Sequence, residues 1–379
     1  MSTASTSTAT PLRPQQSLTA SYYRGGSSRA VFFREQDLPP DLDRRAQIFR
    51  GVIGSPDPNG RQLDGMGGGI SSLSKICVVG PPSRPDADVD YTFVQIGVRD
   101  DKVDYSSNCG NMSSAVGPYA VDAGLVPIPD NVSQDGGQVT VRIHNTNTGK
   151  LIHSSFPVVQ GEAAAMGDLA IDGVAGTGAP IKLDFVDPAG SRTGKLLPTG
   201  NAVDVFDGLP VSCIDVGNPC CFVAASALGV DGTLTPDEIE ANIPLKQQLE
   251  SLRRQASIKM GLAAHDGQVT GSVPKIAIVS PNTQDGSQAS VVVRAMSVGQ
   301  AHKAIPVTVA LATAAASKLV GTTVNECLSK ESREGGEVDI AHASGWLKVD
   351  ASYDAAGNLV SATVFRTARR LMEGRIFWK

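Results

Sequence analysis

The sequence lacks the signals of several common classes of protein. It contains no run of roughly 20 apolar residues that could span a bilayer. Its five histidines show no HExxH spacing, and no CxxC pair is present. The pattern GxxxxGK[ST] is also missing, and the nearest stretch, 190–196, does not match it. The sequence therefore predicts no membrane-spanning helix, no zinc site and no P-loop.

Positive charge is outweighed by negative charge. The formal net charge is −5, which argues against a nucleic acid or an anionic membrane surface as a partner. An acidic protein still binds anionic small molecules where backbone N–H groups and a few cations are concentrated. The six cysteines are scattered through 379 residues with no recognisable signal peptide. We therefore expect reduced thiols and a cytoplasmic location, with a mitochondrial presequence as the alternative.

Two segments are apolar throughout, one following Cys109 as far as Gly124 and one at 302–319. A helix that is apolar on every side is buried. Each segment follows a strand-rich block, and glycine-led turns precede apolar runs at both 24–33 and 217–226. We therefore predict an α+β fold of two related halves, each a sheet around a central helix. The predicted strands are 30–33, 76–79, 91–98, 139–145, 181–185, 276–279 and 290–296.

The most informative stretch is SSNCGNM, at 106–112, where one cysteine opens the first apolar segment. The first turn of a helix has free N–H groups and a partial positive charge, which bind carboxylates and favour a thiolate. Cys109 is therefore a candidate for proton transfer beside a carboxylate site. The alternative is that Cys109 is one more buried, inert cysteine.

A glycine-rich loop, DGMGGGISSLSK at 64–75, ends on Lys75 at the start of an apolar strand. Three consecutive glycines let backbone N–H groups approach a ligand closely. A lysine at the start of a buried strand is desolvated, which lowers its pKa and suits it to proton exchange. A flexible turn followed by an ordinary surface lysine is the alternative.

Further candidate donors lie elsewhere in the chain. The turn at 23–33 combines serines with Arg24 and Arg29, and such a turn can present several donors to a carboxylate. The stretch AHASG, at 341–345, resembles a second donor cluster. His302 and Lys303 are expected at the start of the second apolar helix, where Cys109 stands on the first.

Five motifs, in this order along the chain, resemble those of the PrpF-type family: RGGSSRAVFF, DGMGGG with SLSK close behind, SNCGN, TGKLLPTGN and HASG. This family is related to diaminopimelate epimerase and proline racemase and isomerises unsaturated polycarboxylic acids. The resemblance implies two pseudo-symmetric epimerase-like domains, each a mostly antiparallel sheet wrapped around a central helix. It also implies a site between the domains and no metal or organic cofactor.

The resemblance implies Cys109 and Lys75 as the proton-transfer pair. In the epimerase relatives two cysteines act as opposed acid and base. Here the matching place in the second half reads SVGQAHKA and supplies no cysteine, which disfavours an amino-acid racemase. We expect a disordered tail at 1–18, a first domain at 19–198 completed by 360–379, and a second domain at 199–359.

The predicted function is a cofactor-independent isomerase that moves or inverts the double bond of an aconitate-like di- or tricarboxylate by 1,3-allylic proton transfer. Alternatives are a 4-oxalomesaconate tautomerase, a methylitaconate isomerase, an amino-acid racemase or epimerase, and a non-catalytic carboxylate-binding protein. The partner is a small carboxylate, with no nucleic acid or membrane, and the protein is a monomer or homodimer. The candidate substrate-binding residues are Ser27, Ser28, Arg29, Gly67, Gly68, Gly69, Ser71, Ser72, Asn108, Gly110, Asn111, Met112, Lys275, His302, Ser344 and Gly345.

Overall fold

The computed structural model describes residues 14–128, 132, 136–283, 289–329, 332–333 and 337–379. These residues form an α+β structure in which strands greatly outnumber helices. The helices are α1 Leu42–Ile53, α2 Gly110–Asp122, α3 Ala225–Leu228, α4 Pro236–Ala241, α5 Ile243–Lys259, α6 Val307–Ser317 and α7 Thr323–Glu326. The strands before the chain midpoint are β1 Gln16–Gly25, β2 Ser28–Arg34, β3 Lys75–Gly80, β4 Val89–Ile96, β5 Val103–Asp104, β6 Gln138–Asn145, β7 Lys150–Val159, β8 Glu162–Ala163, β9 Leu169–Ala170, β10 Thr177–Gly178 and β11 Ile181–Val186. The later strands are β12 Asp204–Phe206, β13 Leu209–Val216, β14 Asn218–Ala224, β15 Lys275–Pro281, β16 Val291–Ser297, β17 Gln300–Ala301, β18 Glu337–His342, β19 Gly345–Tyr353, β20 Leu359–Arg366 and β21 Ala368–Trp378.

The strand pairing repeats along the chain. In the first half β1–β2, β3–β4 and β6–β7 are antiparallel, whereas β2–β3 and β4–β6 are parallel. In the second half β13–β14, β15–β16 and β18–β19 are antiparallel, whereas β14–β15 and β16–β18 are parallel. By this correspondence β3 matches β15, so Lys75 and Lys275 are the first residues of equivalent strands.

The two series of strands are joined rather than separate. Strands β11 and β20 pair antiparallel over Ile181–Val186 and connect the two series. Strand β21 returns along β1, with Gln16 opposite Trp378. The predicted domain boundaries at 198/199 and 359/360 stay predictions.

A buried helix lies inside each series of strands. Helix α2 is buried from Gly110 to Val121, and all residues of α6 are buried. One large apolar core contains both helices. Because strand side chains alternate between faces, the opposite faces carry two smaller cores, one under α1 and one under α4 and α5. Each half is therefore a central helix, a sheet and an outer helix.

All seven predicted strands and both predicted apolar helices are found within a few residues of their expected bounds. Two expectations need correction. Strand β1 begins at Gln16, so the expected tail of 1–18 is too long, and residues 1–13 lie outside the described residues. Helix α6 begins at Val307 with Pro306 as its N-cap, so His302 and Lys303 precede the helix. Within the described part of the chain, no helix is long and apolar enough to cross a membrane.

Candidate active site

The candidate site lies where the first turns of α2 and α6 meet. A Cβ atom on Gly110 would lie 2.7 Å from the Cβ of Val307, so the close approach of the helices requires glycine there. The N-caps are Cys109 for α2 and Pro306 for α6, and within the described ranges no side chain caps either helix. The first N–H groups of both helices therefore remain available to an anion, and the two partial positive charges lie side by side.

The pseudo-symmetric counterpart of Cys109 is Pro306, because both are N-caps of the central helices. Proline has no ionisable group and no N–H. The site therefore has a half-buried thiol on one helix and no second thiol in the matching position. All six cysteines of the chain are unpaired, and the other five are buried.

Asn218, the first residue of β14, fixes the backbone immediately before Cys109. Its side-chain Oδ1 accepts a hydrogen bond from the Asn108 N–H at 2.8 Å, and its Nδ2 donates to the Asn108 carbonyl at 2.5 Å. This pair of bonds resembles the pairing of two peptide groups. It connects the second series of strands directly to the start of α2.

Lys75 begins β3 and is only 5% exposed. Its Nζ donates to Oε1 of Gln95 at 2.6 Å and lies 5.0 Å from the centre of the Phe93 ring. The Gln95 Nε2 donates to the carbonyls of Ser71 and Ser74, which fixes the amide with its oxygen toward the lysine. Burial lowers the pKa of Lys75, while the nearby Cys109 and Cys77 act in the opposite direction.

Lys275 occupies the equivalent position on β15 and is 8% exposed. Its Nζ donates to the carbonyl of Ser272 at 3.0 Å. Burial first, and then the positive charge of Lys75, lower the pKa of Lys275 to about 8, against an opposing effect of Cys109. Lys75 and Lys275, one from each half, therefore interact electrostatically with each other and with the thiol of Cys109.

His302 belongs to the same cluster although it precedes α6. Its Nδ1 accepts a hydrogen bond from the Ala304 N–H at 3.1 Å, which leaves Nε2 as the protonated nitrogen of the neutral ring. Burial lowers the pKa of His302 to about 3, and the charges of Lys75 and Lys275 act in the same direction. The ring is therefore a neutral hydrogen-bond donor at pH 7.

Polar contacts between the halves border this cluster. Gln300 of β17 accepts a hydrogen bond from the Ser71 N–H at 3.0 Å through its Oε1. Asp104 accepts from the Ser272 hydroxyl at 2.7 Å, and the Ser106 hydroxyl is 2.9 Å from that of Ser272. The glycine-rich loop and the segment before α2 thus contact the second half on either side of Lys75.

Some predicted donors are engaged within the protein instead. The N–H of Gly69 donates to Oε1 of Gln62 at 2.8 Å, and that of Gly67 to the carbonyl of Ile53 at 3.1 Å. Arg29 lies 5.7 Å above the Tyr22 ring. Side chains alternate along β2, so Arg29 lies on the α1 face of the sheet, away from Lys75.

The predicted pair Ser344 and Gly345 lies at the β18–β19 turn. The Ser344 hydroxyl donates to the carbonyl of Lys303, and its N–H donates to Nδ1 of His342 at 3.2 Å. A Cβ on Gly345 would clash with Asp172. These residues connect the turn to neighbouring loops.

Beyond the first turn of α2, the amide of Asn111 connects two more side chains. Its Nδ2 donates to the Ser27 hydroxyl at 3.3 Å, and its Oδ1 accepts from Nε of Arg366 at 3.3 Å. Ser28 is buried beside them, and Ser72 is half-buried next to Ser71. Sequence reasoning missed Gln95, Asn218 and Arg366. The roles of Asn218 and Arg366 depend on contacts with residues far away in the chain, and that of Gln95 depends on the register between β3 and β4.

The arrangement is suited to proton transfer at carbon next to a carboxylate. It has a half-buried thiol and a lysine of lowered pKa as proton carriers. It also has helix N–H groups, Lys275 and His302 as donors to developing negative charge. Within the described residues, no group of three or more His, Cys, Asp and Glu side chains could hold a metal ion.

Comparisons with known proteins agree with the geometry. The family model for the PrpF protein matches residues 15–379. A 3-methylitaconate isomerase from Eubacterium barkeri is 40% identical over 371 residues, covering 93% of this chain and 95% of that protein. A (4E)-oxalomesaconate Delta-isomerase from Novosphingobium sp. (strain KA1) is 40% identical over 366 residues, covering 96% of this chain and 98% of that protein. A 2-methyl-aconitate isomerase from Cupriavidus necator is 38% identical over 391 residues, covering 95% and 97%.

Solved structures give the same result. The crystal structure of a methylitaconate-delta-isomerase matches with a TM-score of 0.75 at 38% identity, covering 96% of both chains. A hydroxyproline epimerase from Agrobacterium vitis matches with a TM-score of 0.57 at 10% identity, covering 95% of this chain and 92% of that one. The second likeness concerns the fold alone. The predicted family and the predicted α+β epimerase-like fold are confirmed.

Proposed function

Because the chain belongs to the PrpF family, we propose that it is a cofactor-independent isomerase of unsaturated di- or tricarboxylates. It moves or inverts a carbon–carbon double bond by 1,3-allylic proton transfer. The observation that supports the proposal is the electrostatic interaction between the buried Lys75 and the thiol of Cys109, which stands at the uncapped start of a helix.

Lys75 is the base in this proposal, because burial lowers its pKa and so raises the fraction of neutral amine. The amine takes a proton from the carbon next to the double bond. The electrons of that C–H bond delocalise through the alkene into a carboxylate, which gives a dienolate. The Cys109 thiol donates a proton to the far carbon, or to the original carbon after bond rotation. Transfer of a proton from the Lys75 ammonium to the Cys109 thiolate then restores the starting state.

The negative charge of the dienolate needs donors that are already in place. The free N–H groups of Gly110 and Asn111 at the start of α2 supply partial positive charge. Lys275 supplies a full charge below its pKa of about 8, and neutral His302 supplies a hydrogen bond. Donors of this kind, fixed before the reaction, contribute about 3 kcal/mol each to transition-state stabilisation.

Three relatives of similar identity act, by their names, on methylitaconate, oxalomesaconate and methylaconitate. These names support the reaction class and leave several alkenes as candidates for this chain. An amino-acid racemase is disfavoured because Pro306, which has no thiol, occupies the position that is pseudo-symmetric to Cys109. The cytoplasmic location and the monomeric or dimeric state stay predictions.

The test is a proton-NMR panel in deuterium oxide with methylitaconate, 2-methylaconitate, cis-aconitate and 4-oxalomesaconate. We expect isomerisation of at least one compound, with deuterium entering the allylic carbon. L-Proline and diaminopimelate serve as controls for α-proton exchange, which we do not expect. If no alkene isomerises or exchanges, the catalytic proposal is wrong and a carboxylate-binding role replaces it.

A further inference from the structure

One positive charge beside the candidate site is buried and forms no ion pair with any residue that the structure describes. Arg366, the last residue of β20, is 6% exposed. Burial lowers the pKa of Arg366 to about 10, so the guanidinium stays protonated at pH 7. A buried cation destabilises the fold unless an anion or several hydrogen bonds compensate for its lost hydration.

The contacts of Arg366 provide little compensation. Its Nε donates to Oδ1 of Asn111 at 3.3 Å, and one terminal nitrogen donates to the carbonyl of Phe365 at 3.1 Å. Among the described residues, no carboxylate forms an ion pair with it. The neighbouring His342 has its pKa lowered to about 4, by burial and then by the charge of Arg366, so it is neutral at pH 7. A guanidinium has five N–H donors, and most of them remain available to a ligand.

Arg366 lines a cavity of about 700 Å³ together with Ser27, Ile305 and His342. Two carboxylates that also line this cavity have their own partners. Asp172 accepts from the Trp346 N–H at 2.6 Å, and Glu337 pairs with Lys348 at 2.8 Å. The lysines that line the cavity, Lys182 and Lys348, each have a carboxylate partner. Among the described lining residues, Arg366 is therefore the cation that is free to meet an anion that enters the cavity.

The cavity adjoins the proton-transfer residues through α2. Asn111, which accepts from Arg366, is two residues after Cys109 on the first turn. Ser27 lines the cavity and accepts a hydrogen bond from Asn111. Arg366 is thus linked through Asn111 to the first turn of α2, whose N-cap is Cys109.

We propose that Arg366 binds a substrate carboxylate remote from the reacting carbons, and that this contact makes the enzyme select tricarboxylates over dicarboxylates. The proposal rests on the proposed function. Three separate positions then receive three carboxylates: the N–H groups of α2, the cluster of Lys275 and His302, and Arg366. A guanidinium and a carboxylate form a paired, charge-assisted hydrogen bond, which gives the third position its strength.

The test compares two saturated ligands that cannot isomerise, tricarballylate and glutarate, by isothermal titration calorimetry. They differ by one carboxylate. For the unmodified protein we expect tricarballylate to bind about 10- to 100-fold more tightly, the range of a charge-assisted hydrogen bond. In Arg366→Met the preference disappears while glutarate affinity stays within about threefold, and in Arg366→Lys it is intermediate. Arg369→Met, at an exposed arginine nearby, keeps the full preference.

Equal affinities in the unmodified protein would overturn the proposal, and so would a preference that survives in Arg366→Met. If Arg366→Met does not fold, the proposal is still tested by the affinities of the unmodified protein for the two ligands and by those of Arg366→Lys. Binding of these ligands involves no proton transfer. Preferential binding of tricarballylate without deuterium exchange into any alkene would therefore support the role of Arg366 and contradict the isomerase proposal. Deuterium exchange without a preference for tricarballylate would support the isomerase proposal and contradict the role of Arg366.

Discussion

The Lys75 Nζ donates to Oε1 of Gln95 at 2.6 Å, across the register pair that these two residues form between β3 and β4. The amide of Gln95 is fixed by its own bonds to the carbonyls of Ser71 and Ser74. A neutral acceptor orients the amine without adding a negative charge that would raise its pKa. Gln95 therefore orients a buried lysine without opposing the lowering of its pKa by burial.

Replacing Gln95 with glutamate tests this relationship. A carboxylate beside Lys75 stabilises the ammonium and raises its pKa by about 1–3 units. Because Lys75 must be neutral to act as the base, the rise of kcat/KM on the acid side of its pH profile moves to higher pH. Activity at pH 7 falls by about tenfold or more and recovers at alkaline pH. Gln95→Met, which adds no charge, lowers kcat without that alkaline shift. An unchanged pH profile in Gln95→Glu would show that Lys75 is not the base.

Lys275 predicts a pH effect on substrate binding. Its pKa of about 8 means that it is charged below that pH and neutral above it. KM for a carboxylate substrate should therefore rise as the pH increases through about 8, because a binding cation is lost. In Lys275→Met we expect a KM that is high throughout and no longer rises there. A wild-type KM that stays constant across this range would contradict the assignment.

Asn218 predicts an effect on catalysis through the backbone of Asn108. Asn218→Ala removes both hydrogen bonds to that backbone and lets Cys109 move. Misplacement by about 1 Å lowers kcat on the order of 10²-fold, with a smaller change in KM. Asn218→Asp still accepts from the Asn108 N–H but cannot donate to its carbonyl, so we expect intermediate activity. Asn201→Ala, at an exposed asparagine, is the matched control. Full kcat in Asn218→Ala would exclude a positioning role.

The contact between the two central helices predicts a compensating pair of substitutions. Gly110→Ala places a Cβ 2.7 Å from Val307, and such overpacking destabilises by about 1–3 kcal/mol. Val307→Ala removes the Cγ1 that the new methyl group would meet at 2.7 Å and leaves only the Cβ at that distance. The double variant should therefore recover part of the stability and activity lost in Gly110→Ala, which urea unfolding and kcat measure. If the effects of the two single substitutions simply add in the double variant, the packing of Gly110 against Val307 does not restrict the approach of the two helices.

The sequence was sufficient for features that depend on local patterns. Cys109 opens an apolar helix and Lys75 opens an apolar strand, so both were found from their neighbours in the chain. Two of the three missed residues act over long separations in the chain, and the third, Gln95, depends on the register between β3 and β4. Asn218 is 110 residues from Asn108, and Arg366 is 255 residues from Asn111. Sheet register and the packing of the halves create these contacts, and neither is visible in a local pattern.

The glycine-rich loop shows that a local pattern can also predict a ligand contact where the structure has an internal hydrogen bond. Three glycines permit close approach of any group, and the sequence favoured a ligand. In the structure the side chain of Gln62, just before the loop, accepts a hydrogen bond from the Gly69 N–H, so this N–H is not available to a ligand. Likewise, Pro306 is the N-cap of α6, so the helix begins at Val307, five residues after His302.

The central claim is that Lys75 and Cys109 move a proton between two carbons of an unsaturated polycarboxylate. The most direct measurement is the rate at which deuterium enters the allylic carbon in deuterium oxide, followed by NMR for the wild type, Lys75→Met and Cys109→Ser. We predict losses on the order of 10²–10⁴ in both variants, with Arg369→Met close to wild type. Near-normal exchange in either Lys75→Met or Cys109→Ser would contradict the assignment of that residue to proton transfer.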